Sequence, residues 1–377
     1  MQNGLLSDQE IKRYGRHLVM PEVGMAGQER LKRSSVLLVG VGGLGSPAAL
    51  YLAAAGVGRI GLIDPDRVEE SNLHRQVLFG TDSVGLPKIE AARDRLVSVN
   101  PHVALELHPE RLESGNALPL VRGYDVVLDG TDNFPTRYLV NDACVLSGKP
   151  NVHGAIFRFE GQLSVFDARR GPCYRCVFPE PPPADLVTSC AEAGVLGVLP
   201  GIVGAMQALE AIKLILERGE PLIGRLALLD TLAFSIGEIR IRKDPGCPIC
   251  GENPTIDRLV DSDPVCSTEG ERLPALDVFA LRDRLRDEAG LLLLDVREPF
   301  EVRIGRIGDP IPIPLGRLEA SLADLDRSRE IVVYCHTGIR SAHAVRLLRE
   351  AGFPRVFNLT GGIDAWSARI DPSVPRY

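Results

Sequence analysis

The sequence predicts an α/β protein in two parts, a larger unit with a mainly parallel sheet followed by a smaller α/β unit. Three observations carry this. Short apolar runs such as Val36–Val39 and Ile331–Tyr334 lead into tight turns and then into helical segments, the alternation that parallel strands joined through helices require. The chain's 377 residues exceed what one typical core holds. Between the two α/β stretches the composition changes: Glu252–Arg272 is polar, broken by Pro254 and Pro264, and lacks a sustained apolar face. Residues 1–252 are therefore assigned to the first unit, 253–272 to a linker and 273–377 to the second unit.

In the first unit, Val36–Val39 reads as a strand, Gly40-Val41-Gly42-Gly43-Leu44-Gly45 as a turn, and the alanine-rich Pro47–Ala55 as a helix. Glycines allow positive φ and close approach to a phosphate, and the helix that follows offers free N–H groups and the positive end of its dipole. Alone, such a turn serves packing as readily as a nucleotide. A second strand, Arg59–Ile63, ends in Asp64, at the spacing where an acidic residue meets ribose hydroxyls, and to this point NAD fits as well as ATP. The continuation favours a triphosphate, because Arg75 in Ser71-Asn72-Leu73-His74-Arg75-Gln76 and Lys88 after Gly85-Leu86-Pro87 supply cations. Asn72 also suits a simple helix cap. A third strand, Tyr124–Leu128, runs into Asp129-Gly130-Thr131-Asp132-Asn133, where a carboxylate suits Mg²⁺ beside phosphates. Gly201–Leu216 reads as a helix, and Leu226–Leu229 and Ile236–Arg242 as strands.

Composition excludes some classes. The net charge of −7 argues against sequence-independent DNA or RNA binding. No run of about 18 uncharged apolar residues appears, and MQNGLLSDQE lacks a basic segment followed by an apolar one, so no membrane association and a soluble, cytoplasmic protein are expected.

Eight cysteines without a secretion signal call for chemistry or metal rather than disulfides. Cys173-Tyr174-Arg175-Cys176 and Cys247-Pro248-Ile249-Cys250 are two C-x-x-C pairs, enough for a closed, structural tetrahedral Zn²⁺ site. A redox dithiol would explain one pair but not both. Pro179–Gly194, rich in proline and small residues, reads as a loop containing Cys190; Cys144, in the apolar run Asn141–Leu146, reads as packing; Cys266 lies in the linker without an evident partner.

In the second unit, Leu291–Leu294 runs into Asp295-Val296-Arg297-Glu298. Ile331–Tyr334 runs into Cys335-His336-Thr337-Gly338-Ile339-Arg340, followed by a helix over Ser341–Ala351. A cysteine at a strand's carboxyl end, facing loop amides and a helix N-terminus, is expected to be a thiolate nucleophile.

The motifs from about Ile11 to Cys250 resemble, in wording and order, the ThiF/MoeB/HesA family, bacterial relatives of ubiquitin-activating enzymes. The resemblance implies a Rossmann-like adenylating domain in which Gly43, Asp64, Ser71, Asn72, Leu73, His74, Arg75, Lys88, Asp132 and Asn133 contact ATP, with Asp132 near Mg²⁺. It also implies that Arg16 reaches the γ-phosphate of a neighbouring subunit, hence a homodimer, and that Cys190 lies in a loop crossing the active site, where some relatives use a cysteine covalently. The segment from the LLDVRE strand to Leu359-Thr360-Gly361-Gly362-Ile363-Asp364-Ala365-Trp366 resembles a rhodanese domain. There a loop of six residues, one shorter than in related phosphatases, favours a persulfide on Cys335, with Arg340 and the loop amides stabilising the anion. Two departures are Arg306, where rhodaneses usually have histidine, and His336, where a basic residue is common.

The domain order resembles that of MoeZ-type adenylyltransferase/sulfurtransferases. It implies adenylation of the C-terminal glycine of a small β-grasp sulfur carrier ending in Gly-Gly. Sulfur then passes from Cys335, loaded by a donor such as a cysteine desulfurase or thiosulfate, to serve molybdopterin, thiamine, cysteine or tRNA thiolation. Competing readings are adenylation of a carboxylate on a modified tRNA base, a dinucleotide oxidoreductase, and a non-catalytic scaffold for ubiquitin-like proteins.

Overall fold

The computed structural model describes residues 5–181, 194–261, 273–287 and 290–377. They form two compact units, 5–181 with 194–261, and 273–287 with 290–377.

The first unit is organised by an eight-stranded sheet. In chain order the strands are β1 (Ser35–Val39), β2 (Arg59–Ile63), β3 (Ala104–His108), β4 (Val126–Asp129), β5 (Asn151–Phe157), β6 (Glu160–Phe166), β7 (Arg225–Asp230) and β8 (Ser235–Arg240), in spatial order β3-β2-β1-β4-β5-β6-β7-β8. Strands β1 to β5 pair in parallel, with Val39 opposite both Ile63 and Asp129. The remaining pairs, β5·β6, β6·β7 and β7·β8, are antiparallel. Every residue of β1 and β4 is buried, which explains why both read as continuous apolar runs rather than alternating ones. β8, at the open edge, is exposed throughout.

The chain leaves β1 for β2 on one side and reaches β4 on the other, so the sheet changes direction at the carboxyl end of β1. That is where open parallel sheets leave a crevice. Backbones meet closely there. A Cβ on Gly45 would lie 2.0 Å from the Gly40 oxygen, and one on Gly130, just after β4, 3.1 Å from the same oxygen. The helix Val198–Leu216 begins before the predicted Gly201, with Pro200 inside the first turn, where its missing N–H costs nothing. By length and composition this helix could cross a membrane, but Leu199, Val203, Gln207, Ala208 and Ala211 are buried. A Cβ on Gly204 would sit 2.2 Å from the Leu44 oxygen, so glycine is what lets it reach the helix Gly45–Ala55.

The predicted strand Tyr124–Leu128 begins at Val126 and ends at Asp129. Tyr124 is held before it by its own packing, its hydroxyl at 2.6 Å from Glu106 and against Gly61. Strands β3, β5 and β6 were not singled out from the sequence; the β5–β6 hairpin turns through Arg158, at φ +52°.

The second unit is a five-stranded parallel sheet with β9 (Ala275–Leu276), β10 (Leu292–Asp295), β11 (Ile311–Pro312), β12 (Ile331–Tyr334) and β13 (Val356–Leu359) in the order β11-β10-β12-β13-β9. Central β10 and β12 are wholly buried. The helix predicted from Ser341 starts at Ile339 and ends at Glu350. Cys190 and Cys266 lie outside the described residues.

The contact at Gly45 gives a direct test. Gly45→Ala forces two backbone segments apart and is expected to lower the first unit's stability by about 2 kcal/mol, seen as a drop in its calorimetric melting temperature, with the second unit's transition unchanged.

Candidate active sites and cysteine cluster

Gly40 takes φ +86° and donates its N–H to the Ile63 oxygen at 2.9 Å, turning the chain across the ends of β1 and β2. Asp64 braces this turn. Its carboxylate accepts from Val41 N–H at 2.8 Å and from Asp66 N–H at 2.9 Å. Burial pushes the Asp64 carboxyl upward, against the pull of Lys88 and of these amides. Lys88, nearly buried, lies 4.0 Å from Asp64 and 2.8 Å from Asp66, so it holds the ends of both carboxylates together.

The 71–76 segment lies against the same turn. Its backbone is a short 3-10 helix, Glu70–Asn72, in which Asn72 accepts from Glu69 N–H as a cap, at 3.4 Å. Ser71 offers its carbonyl to Arg75 at 2.9 Å, and Arg75 also donates to His74 at 2.8 Å. Leu73 packs on the main core. A Cβ on Gly43 would touch Pro200 at 3.1 Å and the Arg75 side chain at 3.8 Å, so Arg75 and the start of the helix Val198–Leu216 flank the turn. Asp132 and Asn133 follow β4 and are exposed; Asn133 caps the helix Phe134–Ser147 by accepting from Thr136 N–H at 3.0 Å. The structure thus gathers the glycine turn, Asp64, Lys88 and residues 71–76, with Asp132 and Asn133 just after β4, the strand next to β1. Arg16 makes none of these contacts; it is exposed on the short helix Gly15–Leu18.

Sequence reasoning missed the support beneath Asp132. Asp129 is fully buried and accepts from Thr131 N–H at 3.0 Å, from the Thr131 hydroxyl at 2.7 Å and from His153 Nδ1 at 3.2 Å. Arg137 holds the Thr131 carbonyl at 3.1 Å, and Gln207 holds the Asp129 carbonyl at 2.7 Å. Burial raises the Asp129 carboxyl, but the His153 hydrogen bond and the charges and donors around it hold it below its ordinary value. Burial lowers His153 more than Asp129 raises it. The pair is therefore a carboxylate receiving Nδ1–H from a neutral imidazole.

The four cysteines of the C-x-x-C pairs converge. Their sulfurs all lie within 4.8 Å of one another, with Cys173–Cys176 at 3.8 Å, Cys173–Cys247 at 3.6 Å and Cys176–Cys250 at 3.4 Å. The pairs sit in an apolar pocket with Val145, Leu146 and Ile249. Cys144 is buried in the core, and burial pushes its thiol up, as packing predicts.

In the second unit Cys335 follows β12 and is fully buried. Its sulfur accepts from Gly338 N–H at 3.1 Å and from the Ser341 hydroxyl at 3.4 Å. Gly338 has φ +101°, and Gly362 packs so tightly under the loop that a Cβ there would lie 2.3 Å from the His336 oxygen. Arg340, expected beside the sulfur anion, places both terminal nitrogens on Glu301, at 2.8 and 2.7 Å. That partner, in the helix Pro299–Ile304, carried no sequence signal. Arg306 is exposed.

Residues 14–249 match the ThiF family and residues 280–369 the rhodanese-like domain. The chain belongs to the ThiF family. It is 47% identical over 384 residues to a Mycobacterium tuberculosis protein described as a probable adenylyltransferase/sulfurtransferase MoeZ, covering 99% of this chain and 96% of that one. It is also 55% identical over 263 residues to a Thermus thermophilus sulfur carrier protein adenylyltransferase, covering 68% of this chain and 97% of that one. Among solved structures, E. coli MccB with MccA-N7isoASN is similar in fold, at a TM-score of 0.57 and 24% identity over 64% of this chain and 75% of that one. The first unit is thus an ATP-binding adenylating fold, and its four cysteines are compatible with a metal site.

The Asp129–His153 pair makes this unit acid-sensitive. Unfolded histidine gains a proton near pH 6.5 and buried His153 only at lower pH, so its contribution is complete above about pH 6.5 and lost as pH falls. Asp129 adds a second loss below about pH 4, where only the unfolded carboxylate protonates. His153→Leu strands a buried carboxylate and is expected to cost about 3 kcal/mol at neutral pH. Thermal unfolding across pH should show that cost together with a shallower slope around pH 6.

Proposed function

We propose that the chain adenylates the C-terminal glycine of a small β-grasp sulfur carrier ending in Gly-Gly, then transfers sulfur to it from a Cys335 persulfide. One observation carries the reading: a ThiF unit with a cation-flanked glycine turn and a rhodanese-like unit with a cradled cysteine occupy a single chain. The match along nearly its whole length to an adenylyltransferase/sulfurtransferase supports it.

In the first step a carrier carboxylate oxygen attacks the α-phosphorus of ATP, and pyrophosphate leaves with the electrons of the broken P–O bond. Gly43 and the neighbouring amides approach the phosphates, Asp64 faces the ribose, and Arg75 and Lys88 balance the negative charge, with Ser71, Asn72, Leu73 and His74 shaping the wall and Asn133 beside them. Arg16 serves the nucleotide of a second copy in a cytoplasmic homodimer. The Asp132 carboxylate, exposed and unpaired among the described residues, fits Mg²⁺, which would offset phosphate charge when bound.

Next, Cys335 thiolate takes the outer sulfur of a donor such as thiosulfate, releasing sulfite, or receives it from a cysteine desulfurase. The persulfide's terminal sulfur attacks the acyl carbon and AMP leaves. A second thiolate then attacks the Cys335 sulfur, releasing the thiocarboxylate and leaving a disulfide that an external dithiol reduces; Cys190 is the candidate for that thiolate. Gly338 N–H and the other loop amides hold negative charge on sulfur.

The cysteine cluster fits Zn²⁺. Three of its sulfur spacings are 3.4, 3.6 and 3.8 Å and all lie within 4.8 Å, a set that surrounds the tetrahedral edge of about 3.8 Å that Zn–S bonds of about 2.3 Å give. The metal would staple residues near Cys173 to those near Cys247.

Two experiments test these assignments. With ATP, thiosulfate, a dithiol and carrier, intact mass should show the carrier's terminal OH replaced by SH. Cys335→Ser should abolish that product while leaving carrier-dependent ATP–pyrophosphate exchange intact, and Asp132→Ala should reduce exchange at least about a hundredfold. Exchange that survives Asp132→Ala unchanged would refute the site. For the metal, elemental analysis should find one zinc per chain, and stripping it should remove on the order of 10 kcal/mol of binding energy from the folded first unit; native protein without zinc, alkylated at all four cysteines, would rule the site out.

A further inference from the structure

The cradle around Cys335 leans on a side chain far along the sequence. His336, the residue after the nucleophile, is only 6% exposed, and neither ring nitrogen has a hydrogen-bond partner among the described residues. What holds the ring is a stack on Tyr377, with centroids 4.5 Å apart and planes 14° apart. The Tyr377 hydroxyl is fixed in turn, accepting from Arg297 at 2.6 Å and donating to Glu301 at 3.3 Å. Glu301 is the carboxylate that takes both terminal nitrogens of Arg340. One aromatic side chain therefore touches the loop at both ends, directly at His336 and through Glu301 at Arg340.

The segment carrying Tyr377 is anchored well enough to transmit this. Val374 is buried against Gly305, where an added Cβ would meet it at 3.1 Å. Arg376 pairs with Asp364 at 2.8 Å, and the Ser367 hydroxyl donates to the Val374 oxygen. Arg297, fully buried, binds Asp295 at 2.6 Å and the Gly305 carbonyl at 2.8 Å, so the group gripping the Tyr377 hydroxyl is itself immobile.

We propose that Tyr377 is a positioning residue for sulfur transfer, its ring clamping His336 so that the Gly338 N–H stays aimed at the Cys335 sulfur. An imidazole with two unsatisfied nitrogens gains hydrogen bonds by swinging into water, so it stays tucked in only while something covers it. If it swings out, the His336–Gly338 backbone loosens and the Gly338 N–H no longer points steadily at sulfur. The cost falls on the step in which sulfur carries charge, and binding of the donor is affected less. The inference rests on the reading of Cys335 as the sulfur-carrying nucleophile.

The test is thiosulfate-to-cyanide sulfur transfer by the full chain, with ATP–pyrophosphate exchange as the internal control. Tyr377→Ala is expected to lower kcat about tenfold with KM changed less, and Tyr377→Phe, which keeps the ring, to stay within about threefold of the parent. Exchange should be unchanged in both. Sulfur transfer by Tyr377→Ala within twofold of the parent, or equal losses in the Ala and Phe variants, would overturn the proposal. Should Tyr377→Ala unfold the second unit, Tyr377→Leu carries the same test: it keeps apolar bulk without an aromatic face, a tenfold loss supports the clamp, and full activity overturns it. A parent chain that transfers no sulfur refutes the reading of Cys335 and this inference with it, whereas losses confined to the variants bear on Tyr377 alone.

Discussion

The close approach of three backbones at the carboxyl ends of β1 and β4 is the constraint on which the first unit depends. Gly45 leaves no volume for a side chain, a Cβ there lying 2.0 Å from the Gly40 oxygen, and at Gly40 and Gly130 a Cβ would meet backbone at 3.2 and 3.1 Å. This closeness lets the helix Gly45–Ala55 begin within a few residues of the strand end, its first N–H groups facing the crevice where the sheet changes direction. A side chain at Gly45 would push the helix back or spread the strands. In either case Asp64 would lose the Val41 amide, which reaches it from the turn after β1.

The antiparallel half of the sheet supports the same crevice through β5. His153 sits in β5 but spends its Nδ1–H on Asp129, and Gln207, from the helix packed over the sheet, bridges the carbonyls of Asp129 and Val152. Burying a carboxylate costs several kcal/mol unless its acceptor sites are filled, and here Thr131 and His153 fill both oxygens. The energetic gain over an apolar pair is small. What the network supplies is geometry: Thr131 is fixed at both its N–H and its carbonyl, so Asp132 leaves the strand end in one direction although it is itself exposed.

Legibility in the sequence followed the distance over which each interaction acts. The strand, glycine turn and helix from Val36 to Ala55 were readable because a turn's demands are met by neighbouring residues, and the cysteine pairs because ligand spacing within each knuckle is local. Asp64 was readable as an acidic strand end but not as the brace of the turn, since the Val41 amide it receives, 23 positions away, depends on how β1 and β2 align. His153, Gln207 and Glu301 were invisible for a stronger reason: each is an ordinary polar residue in a strand or helix, made important only by a partner 24, 78 or 39 positions away. The hairpin of β5 and β6 was missed because its turn, at Arg158 with positive φ, carries neither the glycine nor the asparagine that usually marks such a turn.

The two units use one local device for opposite ends. In each, a buried parallel strand ends at a turn with positive-φ glycine, and a helix starts within a few residues. In the first unit the turn is lined by glycine, the arrangement the proposed function needs for a ligand's phosphates. In the second the turn's amide is taken by the protein's own Cys335 sulfur, which is fully buried. As the proposed nucleophile, a buried Cys335 is protected from stray oxidants but poorly placed to meet a protein acceptor. In the proposed reaction, a second sulfur would set the reactive atom about 2 Å beyond the Cys335 sulfur. The acceptor must still be slender, and an extended Gly-Gly end, without side chains, meets that demand better than a carboxylate on a folded surface or a bulky base.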